Sequence, residues 1–118
     1  MSRTKLYRCD VLISEMIAAE MVEYKTTILC FVNCLILGTE DIWTRHAVRT
    51  EMIVLGLLDE IEKMKLSSDN PELLIQIQVF EHHRSKDEDK LDVADERSLF
   101  DLFTNFFVQV ILFNHIII

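Results

Sequence analysis

Glycine and proline are nearly missing from this chain of 118 residues, which has only Gly38, Gly56 and Pro71. An all-β fold needs many turn residues, so the shortage favours helices joined by short loops. With two glycines, neither a glycine-rich phosphate loop nor a dinucleotide fingerprint can be written. Basic residues are also scarce, 12 against 20 acids, and the net charge of -8 repels phosphate backbones, so no nucleic-acid partner is expected. Met1 to Cys9 is polar and basic and lacks the apolar core of a signal peptide. Three cysteines without such a leader suggest reduced thiols in a cytoplasmic chain. What is abundant is apolar surface: half of the residues are hydrophobic, the mean hydropathy is +0.20, and the excess lies mainly in the last twenty or so positions.

Helical spacing runs along most of the chain. Leu6, Cys9, Leu12, Ile13, Met16 and Ile17 recur at steps of three and four, which predicts a first helix with one apolar stripe. A second helix, about Tyr24 to Leu37, is apolar around more than half its circumference and should be buried on most sides. Gly38 stands where a left-handed residue would end it, and Thr39 can cap a third helix with Glu40 and Asp41 in its first turn. That helix, about Glu40 to Leu55, carries Ile42, Trp43, Ala47, Val48, Met52 and Leu55, with Arg45, Arg49 and Glu51 between them. Gly56 ends it. In the fourth, Leu57 to Leu66, Leu57, Leu58, Ile61 and Met64 are expected inside and Asp59, Glu60, Glu62, Lys63 and Lys65 outside. Asn70 before Pro71 is the clearest helix start, since a proline suits the first helical position. The fifth helix holds Leu73, Leu74, Ile77 and Phe80 and runs into a charged stretch, Glu81 to Arg97, read as a solvated helix end or loop.

No arrangement of residues carries chemistry. Cys30 and Cys34 share a helix face, but a zinc site needs four ligands, and Cys9, His46, His82 and His83 lack paired spacing; small buried cysteines are the better reading. No nucleophile elbow is present, and with thirteen Asp or Glu between residues 59 and 101 almost any catalytic pairing could be invented. Neither catalysis nor a cofactor nor a metal is expected. Asn33 is the sharper oddity, an amide in an apolar helix that needs partners if buried. It either bonds a neighbouring loop carbonyl, the commoner outcome, or is displayed in a groove for the backbone of a docked partner. Nearly all-round apolar helices with short connections suit a stacked repeat better than a closed bundle, and a stack of this length needs neighbours or caps at its ends.

The stretch Tyr24 to Ile36, with Phe31-Val32-Asn33-Cys34-Leu35-Ile36 at its end, is followed by Arg45-His46-Ala47-Val48-Arg49-Thr50-Glu51-Met52-Ile53-Val54-Leu55-Gly56-Leu57 and then by Asn70 to Glu81. Together these blocks resemble the last armadillo repeat and closing helix of the diaphanous inhibitory domain of formins, within the formin homology 3 region, nearest to the inverted formins. The likeness covers roughly Arg8 to Phe103. It implies an all-α armadillo-type helical-repeat fragment with C-terminal helices, without catalysis, that regulates actin assembly through autoinhibition. The partner it implies is an amphipathic autoregulatory helix from the formin C-terminal tail, lying along the concave face of the repeats. Rho-family GTPases compete for an overlapping surface in such proteins. Asn33 aligns with an asparagine that contacts the tail helix in this family. Leu29 or Phe31 and Ile36 or Leu37, one turn away, are the groove residues expected with it, although the helix rotation stays open.

The departures set limits on that expectation. GTPase contacts in the family lie on an N-terminal subdomain and on earlier repeats, so a Rho-family GTPase is expected as a partner only where those repeats are supplied. The proline-rich and actin-nucleating regions are absent, so the actin cytoskeleton is reached only through a parent formin. Residues 1–105 are read as a partial formin homology 3 domain and residues 106–118 as a divergent hydrophobic tail. The tail permits three readings: a terminal cap helix, a membrane anchor formed by residues 99–118, or an unselected extension. Asp101, Asn105, Gln109 and Asn114, and the lack of a basic flank, make the anchor the alternative reading, not the preferred one.

Overall fold

The computed structural model describes the backbone of residues 2–117 and the side-chain surroundings of residues 9–93, 101 and 104–111. Five helices follow one another: α1 (Ser2–Ala18), α2 (Val22–Leu37), α3 (Ile42–Val54), α4 (Leu57–Ser67) and α5 (Pro71–Ile117). There is no strand among the described residues. Helices α2 and α3 form the centre, with α1 packed on both and the first part of α5 packed on both. The core they enclose includes Ile13 and Met16 of α1, Leu29, Val32 and Ile36 of α2, and Met52 of α3. Leu57, Ile61 and Met64 of α4 complete it with Leu73, Ile77 and Phe80 of α5. Burying each of these larger side chains contributes roughly 1.5–3 kcal/mol. Leu6, the first member of the expected α1 stripe, lies outside the described side chains.

The helix boundaries have local causes. Asn70 Oδ1 accepts from the backbone N–H groups of Glu72 (3.0 Å) and Leu73 (3.1 Å), and Pro71 occupies the first position, where no N–H is needed. Replacing Asn70 by alanine should lower stability by about 1 kcal/mol in urea denaturation, with an unchanged denaturant slope. Gly56 joins α3 to α4 at φ 110°, a left-handed conformation that side chains rarely adopt. Gly38 differs from expectation. Its φ is -74°, so it is right-handed; a Cβ there would come within 3.0 Å of the Cys34 carbonyl oxygen, so close approach is what favours glycine. Asp41, not Thr39, caps α3: its Oδ2 accepts from Thr44 N (3.0 Å) and Thr44 Oγ1 (2.7 Å), while Thr39 Oγ1 turns back to the Leu35 carbonyl.

The charged stretch Glu81 to Arg97 is helix throughout, because α5 runs without a break from Pro71 to Ile117. No glycine or proline interrupts it. Arg84 and Glu88, one turn apart, pair at 3.1 Å on its surface. At about 1.5 Å per residue, α5 is roughly 70 Å long, which accounts for most of the 75 Å long axis of the molecule. Leu91 is the last buried residue described along it. Beyond it, Phe106, Phe107, Val108, Val110 and Ile111 are all exposed, so a packed terminal cap does not form over them. Residues 112–118, the rest of that tail, lie outside the described side chains. No helix among the described residues is long and apolar enough to cross a membrane.

Glu60 and Asp87, expected at the surface, are buried instead, as is Arg49 of α3. Glu60 of α4 receives Lys25 of α2. Asp87 of α5 receives Arg45 (Nε, 2.9 Å) and the fully buried Arg49 (Nη2, 3.0 Å) of α3. Burial is tolerated because each charge meets an opposite one. Trp43, expected in the α3 stripe, is exposed, and Arg49 takes an inward position on that helix.

Candidate functional site

A groove of about 610 Å³ lies between α2 and the first turns of α5. Thr27, Cys30, Phe31 and Cys34 form its α2 wall, at steps of three and four along one helix face. Ile75 and Gln76 form the opposite wall, and Glu23 and Glu72 stand at its edge. Phe31 and Ile75 are large, apolar and 52% and 54% exposed, so the groove offers uncovered hydrophobic surface. Thr26 and Thr27 direct their hydroxyls to the carbonyls of Val22 (2.7 Å) and Glu23 (2.9 Å) within α2, leaving few free donors in the wall. The result is a mainly apolar trough with an acidic edge.

Asn33 ties its two walls together. Its side chain is 5% exposed, and Nδ2 donates both to the Gln76 carbonyl (3.0 Å) and to Gln76 Oε1 (2.9 Å). The amide therefore bonds a helix, not a loop, and it holds in place the residue that lines the groove. Of the neighbours expected beside it, Leu29 and Ile36 are buried in the core, while Leu37 is half-exposed. Leu37 lies three residues beyond Cys34 and continues the exposed stripe past the end of the groove. Phe31, the alternative to Leu29, lines the groove, and Ile75 and Gln76 are the additions. Only the rotation of α2 decides between Leu29 and Phe31, whereas Ile75 and Gln76 required knowledge of which face of α5 meets α2.

The cysteines are not the small buried pair expected: Cys30 is partly exposed and Cys34 exposed, and Cys9 alone is buried. Burial, and next the adjacent Cys34 sulfur, push the Cys30 thiol above its ordinary value. His82 and His83 meet edge to face at 5.2 Å in a separate shallow hollow on α5. Among the described residues no three His, Cys, Asp or Glu side chains converge as metal ligands.

With these helices and this groove in view, the decisive comparison is the diaphanous FH3 domain family model, which matches residues 5–110. The chain belongs to this formin homology 3 family. It is 38% identical over 89 residues to inverted formin-2 of Xenopus laevis, covering 75% of this chain and 8% of that protein. It is 38% identical to inverted formin-2 of Xenopus tropicalis over the same length, 6% of that protein, and 36% identical over 78 residues to formin-E of Dictyostelium discoideum, 65% of this chain and 5% of that protein. The chain thus spans less than a tenth of the length of these formins. No solved structure matches it. The FH3 family is a regulatory, non-catalytic module, and the five-helix structure is an all-α fragment of such a helical repeat.

Proposed function

We propose that the groove between α2 and α5 docks an amphipathic helix from a formin C-terminal tail, and that the chain acts in formin autoinhibition and so in the regulation of actin cytoskeleton organisation in the cytoplasm. The observation that carries this reading is the uncovered apolar trough of Phe31, Cys30, Cys34 and Ile75, built on an Asn33–Gln76 bond that sets its width. An amphipathic helix lays its apolar stripe into such a trough, reading it at steps of three and four. The acidic edge of Glu23 and Glu72 favours a partner with basic residues flanking that stripe. Leu37 extends the contact, Asn33 positions Gln76, and Leu29 and Ile36 support α2 from the core side. Rho-family GTPases engage only where the earlier repeats accompany this one. For the membrane-anchor alternative, no described helix is long and apolar enough to cross a membrane, and residues 112–118 of that segment lie outside the described side chains.

The test is titration of a labelled formin tail-helix peptide against the chain and against Asn33→Ala. Losing both bonds to Gln76 should weaken binding about tenfold and lower stability by about 1–2 kcal/mol. Unchanged affinity in the variant would remove Asn33 from the site.

A further inference from the structure

Cys30 and Cys34 stand one helical turn apart on the same wall of the groove, both reachable from solvent. Side chains so spaced have Cβ atoms about 5–6 Å apart. A direct disulfide requires roughly 3.5–4.5 Å, so the helix itself disfavours oxidation to an S–S bond. A bridging atom removes the conflict: two bonds of about 2.3 Å from one ion span sulfurs up to ~4.6 Å apart without unwinding the helix. Because no three ligating side chains converge among the described residues, the pair suits an ion satisfied by two sulfurs, not a tetrahedral zinc. Soft thiolates select such ions.

We propose that Cys30 and Cys34 form a two-sulfur site for a soft, thiophilic ion, of which a trivalent arsenical is the working probe. With phenylarsine oxide the reaction balances without redox change. Both S–H bonds break, two As–S bonds form, and the oxide oxygen leaves with the two protons as water while arsenic remains trivalent. The product closes a ring across one turn of α2. An ion held there occupies the apolar wall and excludes a docked helix, a consequence that rests on the function proposed above, whereas uptake itself does not.

The experiment incubates the intact, reduced 118-residue chain with phenylarsine oxide and follows adduct mass, free thiols and the thermal midpoint of helicity. The expected result is one adduct per chain, loss of two thiols, a raised midpoint, and uptake that persists in Cys9→Ser but falls at least tenfold in Cys34→Ser. Cys34 is exposed, so its replacement leaves the fold intact, which circular dichroism verifies. Equal uptake by Cys34→Ser, or an adduct that consumes a single thiol, overturns the site. Peptide titration of the loaded chain separates the two ideas: chelation without loss of peptide binding contradicts the docking groove and leaves the two-sulfur site standing.

Discussion

Asp87→Asn should cost about 3 kcal/mol of stability, the largest effect expected of any near-isosteric change in this chain. Asp87 accepts from Arg45 Nε (2.9 Å) and Nη2 (3.1 Å) and from Arg49 Nη2 (3.0 Å). Arg49 is only 2% exposed, and its Nε and Nη1 have no hydrogen-bond partner among the described residues. Without the carboxylate charge, a buried guanidinium is left uncompensated between α3 and α5. That is a large share of the 5–15 kcal/mol typical of a folded domain. Urea denaturation of the variant beside Asp92→Asn, an exposed site on the same helix, checks the size; the control should change by less than about 0.5 kcal/mol. The same cluster sets an acid limit. The Arg45 hydrogen bonds, with Arg49 adding to them against the effect of burial, lower the Asp87 carboxyl from its ordinary 3.8 to about 2. The stabilisation is fully present above the ordinary value and is lost as pH falls from there toward the folded value, an amount of roughly 2 kcal/mol. Asp87→Asn should lack this part of the acid transition.

Phe31→Asp should weaken tail-helix binding by at least thirtyfold while leaving the fold intact. The side chain is half-exposed in the free chain, so its replacement removes little from the core. In the complex it would be covered, and losing its burial forfeits roughly 1.5–3 kcal/mol, equivalent to about ten- to a hundredfold in affinity. The new carboxylate adds desolvation, and it stands in a groove whose edge already holds Glu23 and Glu72. Fluorescence anisotropy of a labelled peptide, with Val54→Asp as an exposed control away from the groove, measures the difference.

Local signals announced much of this fold. The Asn70-Pro71 start, the Ile13 and Met16 stripe, and the inward Leu57, Ile61 and Met64 of α4 were legible because capping and helical periodicity act within a few residues. Asp87 and Glu60 were read at the surface, and the burial of Arg49 was not foreseen, because their partners lie 35 to 42 residues away in sequence; each is buried only in company. The continuation of α5 through residues 81–97 escaped notice for a related reason: its charges read as solvent-facing until Asp87 is seen gripping α3. Asn33 stood out at once as an amide in an apolar helix, but the rotation of α2, which turns Leu29 and Ile36 inward and Phe31 and Cys34 outward, depends on where α5 lies across it.

The groove assignment is tested most directly by locating the bound peptide. With the chain isotopically labelled and a formin tail-helix peptide added, the docking account predicts amide shift changes concentrated at Thr27, Cys30, Phe31, Cys34, Ile75 and Gln76. Changes confined to exposed residues outside the groove lining, such as Trp43, Val54 or Leu66, or no changes at a peptide concentration that saturates longer formin fragments, would contradict it.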